Sequence, residues 1–213
     1  MKYLLIAGAR PNFMKLAPLW RQMKVEPGVF EPVIVHTGQH YDTKMSQVFF
    51  DELNLPRPDI HLGISSGTHT QQTARIMLEF EKVLQEQDPD GVIVFGDVNS
   101  TTAASLVAAK EHYPVIHVEA GLRSGDRAMP EELNRIVTDH LSDLLLTSCE
   151  DGDENLRAEG IASEKIHFVG NIMIDSLQSC LAEAGKSDIC DRLRLEKSGY
   201  VLVTLHRPAN VDD

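Results

Sequence analysis

The stretch Pro114-Val115-Ile116-His117-Val118-Glu119-Ala120-Gly121-Leu122-Arg123-Ser124-Gly125-Asp126-Arg127-Ala128-Met129-Pro130-Glu131-Glu132-Leu133-Asn134-Arg135 holds a strand, a loop and a helix start in one run. Pro114–Val118 is short and nearly all apolar, the pattern of a strand covered on both faces. It delivers a carboxylate, Glu119, at its carboxyl end. A glycine-containing loop with Arg123 and Arg127 follows. Pro130 then stands where a first helical turn tolerates the missing amide hydrogen, and Glu131 and Glu132 lie beside the positive end of the helix dipole. A solvent loop has no need of so much opposite charge, whereas a site that binds an anion and moves protons does.

The same alternation runs along the chain. Apolar strand patterns fall at Tyr3–Ala7, Pro32–His36, Gly91–Phe95, Pro114–Val118, Asp143–Thr147, Lys165–Val169 and Tyr200–Leu205. Helical patterns fall between them, at Phe13–Glu26, Thr43–Leu53, His69–Gln87, Ser100–His112, Glu131–Leu141, Glu150–Glu159 and Ile172–Ala184. Asn99 or Ser100 is placed to cap the helix after Asp97, and Gly160 to stop the one before it. The alternation predicts an α/β fold, a doubly wound, Rossmann-like parallel sheet. Residues 1–184 read as one such domain. Gly185-Lys186-Ser187-Asp188 reads as a linker, followed by a short charged helix near Ile189–Lys197 and the strand Tyr200–Leu205. Residues 185–213 are thus expected to be a linker helix and the first strand of a truncated second domain.

Composition narrows the function. The 213 residues carry a formal charge of −12, which argues against a general nucleic-acid or anionic-membrane surface. It leaves a small anionic ligand open, because local cations decide that. The odd, widely spaced Cys149, Cys180 and Cys190 show no metal-ligand spacing and read as reduced, partly buried thiols. The apolar start Tyr3–Gly8 breaks at Arg10-Pro11 and reads as a buried strand rather than a signal peptide. No run approaches the roughly 20 apolar residues of a membrane span, and a cytoplasmic location is expected.

Ligands of open parallel sheets bind beyond the carboxyl ends of the strands. There stand Arg10 and Lys15, Gly96 and Asp97, Glu119 with Arg123, and His206 with Arg207. Each also has a structural reading: a solvated helix start for Arg10 and Lys15, a helix cap for Asp97, an ion pair with Arg123 for Glu119, first-turn positions for Glu131 and Glu132, an ordinary histidine for His206 and His40. Cations are unfavourable at a helix amino terminus, so an anion beside Arg10 and Lys15 accounts for them better. Gly8-Ala9-Arg10 is not a dinucleotide fingerprint, and neither a phosphate loop nor a nucleophile elbow occurs.

Taken together these segments resemble the non-hydrolysing UDP-N-acetylglucosamine 2-epimerases. The matching pieces are Gly8-Ala9-Arg10-Pro11 with Lys15 and Pro18, Thr37-Gly38-Gln39-His40, Gly96-Asp97, Glu119 to Arg135, Asp139-His140, Gly170-Asn171 with Asp175, and Thr204-Leu205-His206-Arg207, in family order. The resemblance implies one half of a two-domain, glycosyltransferase-B-type enzyme that interconverts UDP-GlcNAc and UDP-ManNAc in the cleft between its domains. The reaction it implies is elimination of UDP to a 2-acetamidoglucal and re-addition with inversion at C2, without metal or nicotinamide. It implies Asp97, Glu119 and Glu131 as acid/base carboxylates. It also implies His206 and Arg10 at the diphosphate or leaving group with Lys15 in support, a homodimer, and a destination in cell-surface polysaccharide. Ala9 and Asn12 depart from the family's usual Thr and Glu. The loop from Asp126 to Pro130 is short, and Tyr41-Asp42-Thr43-Lys44 differs from members with an allosteric substrate site. A hydrolysing epimerase, another nucleotide-sugar enzyme of the fold, and a non-catalytic nucleotide-sugar-binding module are the alternatives. The fragment alone is expected to be inactive.

Overall fold

The computed structural model describes residues 1–26, 28–38, 50, 53–64, 67–196 and 198–205. The chain divides into two compact units, Met1–Gln178 and Ser179–Asp213. In the first, seven strands among the described residues make one parallel sheet: β1 (Lys2–Ala7), β2 (Glu31–His36), β3 (Ile60–His61), β4 (Gly91–Phe95), β5 (Val115–Ala120), β6 (Leu144–Thr147) and β7 (Ile166–Phe168). Their spatial order is β3-β2-β1-β4-β5-β6-β7. The order reverses between β1 and β4, the crevice where doubly wound sheets take ligands.

The helices between them are α1 (Arg10–Val25), α2 (His69–Gln87), α3 (Asn99–Lys110), α4 (Pro130–Leu141) and α5 (Glu150–Ala158), and α6 (Ile172–Ala184) follows β7. The main core packs Leu4, Ile6, Val35, Val92, Val94 and Val115 of the sheet against Phe80, Val83 and Leu84 of α2 and Ala104, Val107 and Ala108 of α3. β4 is buried at every residue, as its unbroken apolar sequence requires. Thr68 and Gln71 close a reciprocal cap at the start of α2, each side chain bonding to the other's amide. Among the described residues no helix is long and apolar enough to cross a membrane. The three cysteines are free and partly exposed.

Several expectations need correction. Tyr200–Leu205 forms no strand. Val201 and Leu202 are 87% and 86% exposed; an apolar run without a neighbouring strand has nothing to complete its hydrogen bonds. The short helix in this unit, α7 (Ile189–Leu193), ends four residues before the expected Lys197. Neither Asn99 nor Ser100 caps α3, because both turn inward, Asn99 to Gln72 and His69 and Ser100 to Thr37. The two-residue β3 was not foreseen. The Thr43–Leu53 helix falls largely, and His40 and His206 wholly, outside the described residues.

One glycine shows how tightly β5 and α5 are joined. Gly121 has φ +80, and a Cβ there would stand 2.4 Å from the Gly152 carbonyl oxygen. Gly121→Ala is expected to destabilise the domain by about 1–3 kcal/mol, through both the clash and the left-handed backbone. A urea-denaturation midpoint unchanged from wild type would contradict it.

Candidate active site

The turn from β1 into α1 is built on Asn12, which is 2% exposed. Its side-chain oxygen accepts the amides of Gly8 and Ala9 at 3.1 and 3.0 Å, and its amide nitrogen donates to the Phe95 carbonyl at 2.9 Å. Asn12 thus ties the β1 turn to the end of β4. Arg10 is the first residue of α1 and exposed. Lys15 lies over one turn further on and is buried; its ammonium pairs with the Glu119 carboxylate. That excludes a solvated helix start for Lys15, and Glu119 pairs with Lys15 rather than Arg123.

Glu119 reaches Lys15 because β5 is irregular there. Its register against β6 shifts between Val118 and Ala120, and Glu119 itself has φ +72. A bulge with a non-glycine residue in the left-handed region is strained by about 1–3 kcal/mol, and it re-aims one side chain out of the strand's alternation. Gly96, at the end of β4 with φ +62, is the neighbour: a Cβ there would lie 2.9 Å from Lys15 Nζ and 3.4 Å from Glu119 Oε2. Asp97 follows directly.

Asp97 does not cap α3, whose first turn has no side-chain cap. Its carboxylate takes a 2.5 Å bond from Arg135 on α4, and its carbonyl accepts Asn134 Nδ2 at 2.9 Å. Arg135 also bonds Glu132 at 3.0 Å. Glu132, 2% exposed, accepts the amides of Ser124 and Gly125, both at 2.9 Å. Burial pushes its carboxyl up, but the Ser124 and Gly125 amides, Arg135 and the Ser124 hydroxyl outweigh this and hold it at about 2. Glu131, the third carboxylate that the resemblance implies, is half-buried beside it, and its side chain makes no hydrogen bond or ion pair among the described residues.

Behind these groups lies a buried charge network. His117 on β5 is fully buried, with Nδ1 2.6 Å from Asp139 Oδ1 and Nε2 2.8 Å from the Gly96 carbonyl. Asp139 Oδ2 accepts the Gly121 amide at 3.1 Å and Arg123 Nη1 at 2.7 Å. Arg123 grips Glu159 with two 2.7 Å bonds. Burial raises Asp139, but His117 and Arg123 outweigh it and hold the carboxyl below its ordinary range. Arg123's bonds likewise lower Glu159, and burial only partly opposes them. Arg123 itself is held above its ordinary value: burial disfavours its charge, and its bonds to Glu159 and Asp139 more than restore it.

Beyond the carboxyl ends of β5, β6 and β7 opens a cavity of about 260 Å³, with Glu119 in its wall beside Val118, Leu146, Ser148, Asn171 and Asp175. The structure therefore brings Lys15, Gly96 and Glu119 together, and Asp97 together with Arg135 and Glu132. His117, Arg135, Glu132 and Asp139 were missed as site residues. For the last three the signal lies in the spacing of Glu132, Arg135 and Asp139, which share one face of α4.

The family model described as UDP-N-acetylglucosamine 2-epimerase matches residues 22–213. The chain belongs to the UDP-N-acetylglucosamine 2-epimerase family. It is similar to a "UDP-N-acetylglucosamine 2-epimerase homolog" of Methanococcus maripaludis, 47% identical over the whole chain and 59% of the relative. It is also similar to a UDP-2,3-diacetamido-2,3-dideoxy-D-glucuronate 2-epimerase of Pseudomonas aeruginosa, 44% identical over the whole chain and 59% of the relative. Among solved structures it resembles the Methanocaldococcus jannaschii UDP-GlcNAc 2-epimerase in complex with UDP-GlcNAc and UDP, at TM-score 0.86 and 45% identity, over 91% of this chain and 53% of that one. The chain thus spans little more than half the length of the epimerases it matches.

The depressed Glu132 carboxyl makes a pH prediction. A folded value below the unfolded one contributes stability above the unfolded value, and that contribution is lost as pH falls through the folded value. Wild type is expected to lose stability between about pH 4.5 and about 2 more steeply than Glu132→Gln. Parallel urea midpoints for the two proteins across that window would contradict the assignment.

Proposed function

We propose that the protein to which this chain belongs is a non-hydrolysing UDP-GlcNAc 2-epimerase. The observation that carries the reading is the meeting of Lys15, Glu119, Gly96 and the Asp97–Arg135 pair at the strand ends, beside an open, largely apolar cavity. An acetamido sugar suits that cavity: its ring face and methyl group meet Val118 and Leu146, and its hydroxyls meet Ser148 and Asp175. Arg10, at the amino end of α1, faces the diphosphate, which a helix amino terminus also favours.

In this reading one carboxylate takes the C2 proton. The C2–H electron pair becomes the C1–C2 double bond, and the C1–oxygen pair leaves with UDP. Re-addition returns UDP to C1 and a proton to the opposite face of C2. Asp97 and Glu119 share these transfers, with Glu131 as a third candidate and His206 at the leaving group. Such acid/base groups contribute about 10²–10⁴-fold each, and Lys15 and Arg135 hold the two central carboxylates in place. In this proposal residues 1–184 supply one wall of the cleft and 185–213 lead into a second domain. The 213-residue chain alone is inactive, because catalysis requires both walls at productive distance. A cytoplasmic homodimer is part of the proposal, supported by Leu133 and Val137 of α4, which are 43% and 41% exposed.

The second reading is epimerisation of a 2,3-diacetamido glucuronate, favoured by the 44% identity to an enzyme named for that substrate. Incubating the full-length protein with each nucleotide sugar and analysing the products separates the readings. UDP-ManNAc is the expected product; free ManNAc indicates hydrolysis, and turnover of the glucuronate alone indicates the second substrate. Asp97→Asn and Glu119→Gln are each expected to lower kcat by about 10²–10⁴-fold. Normal turnover in both variants would remove the catalytic reading.

A further inference from the structure

We propose that His117 is a positioning residue that fixes the separation of Asp97 and Glu119; the inference rests on the epimerase reading. The imidazole is fully buried, two residues before Glu119 on β5. One nitrogen meets Asp139 at 2.6 Å and the other the Gly96 carbonyl at 2.8 Å. Gly96 immediately precedes Asp97. Asp139 in turn accepts the amide of Gly121, two residues after Glu119, at 3.1 Å. The ring thus stands as a strut between the backbone that carries Asp97 and the backbone that carries Glu119.

Both partners of the ring are acceptors: a carbonyl oxygen has no proton to give, and the Asp139 carboxylate already accepts from Arg123 and the Gly121 amide. Each ring nitrogen must therefore donate, which requires the doubly protonated imidazole. The charges then balance within the network, His117 and Arg123 against Asp139 and Glu159. A ring lacking one proton would set a lone pair against an oxygen at hydrogen-bond distance and push the Gly96 peptide or Asp139 away. Gly96 and Glu119 both have positive φ, at +62 and +72. Glycine adopts that conformation freely, whereas at Glu119 it is strained, and the strut braces it.

The test uses the full-length protein. His117→Phe keeps the ring's shape and removes both bonds. It is expected to lower kcat by about 100-fold with KM nearly unchanged, as a misplacement of the reacting groups does. In an Asp97→Asn background the same substitution is expected to cost only a few-fold, because the group it positions is already disabled. A folded His117→Phe enzyme with wild-type kcat, or a full 100-fold loss in both backgrounds, would overturn the proposal. Nitrogen-15 spectra of the wild-type ring give a second check that needs no variant. Two hydrogen-bonded ring N–H groups are expected, and one bare nitrogen would overturn the strut. Wild-type protein inactive on every nucleotide sugar would instead overturn the epimerase reading, and this inference with it.

Discussion

A carboxylate out of contact with water must be surrounded by donors, since an isolated buried charge costs far more than a domain's net stability. Asp139 is 1% exposed, and His117, Arg123 and the Gly121 amide meet it. Because Asp139 sits on α4, satisfying it turns that helix. Glu132 and Arg135 lie on the same face and come inward with it, while Leu133 and Val137 are left 43% and 41% exposed. The helix is seated by its charges, against the ordinary expectation that its apolar stripe faces the sheet. That inversion delivers Arg135 to Asp97 and closes the loop amides of Ser124 and Gly125 on Glu132.

The sheet and most helices were legible because their causes are local. Unbroken apolar runs marked β1, β2 and β4, Thr68 with Gln71 fixes the start of α2, and Pro130 that of α4. Tyr200–Leu205 shows the limit: apolar residues with strand propensity need partners, and pattern alone cannot supply them. Asn99 and Ser100 have capping side chains, yet tertiary bonds to Gln72 and Thr37 claim both.

Of the site, the residues at strand ends were readable, since topology places them there. Their pairing was not. Glu119 had Arg123 four residues away as an obvious partner, and the structure gives it Lys15, 104 residues distant. The bulge that permits this has no sequence signature in Val118-Glu119-Ala120, because Glu119 occupies a backbone region usually left to glycine. The phase of α4 is hidden for the opposite reason: its exposed Leu133 and Val137 point away from the face that is buried.

Pairing also reconciles an acidic chain with an anionic ligand. Arg123 and Arg135 each bridge two carboxylates, a task suited to a guanidinium with donors on several edges. Lys15, a point charge, pairs among the described residues with Glu119 alone. Two unpaired charges about 4 Å apart near a protein surface interact by about 4 kcal/mol, so bare carboxylates at the strand ends would repel a diphosphate strongly. Neutralised by cations behind them, they keep their oxygens available without presenting that field. Gly96 completes the arrangement: its positive φ turns the chain into Asp97, and its missing Cβ leaves the space that the Lys15 ammonium fills. A side chain there would separate Lys15 from Glu119 and leave the carboxylate facing an anion unscreened.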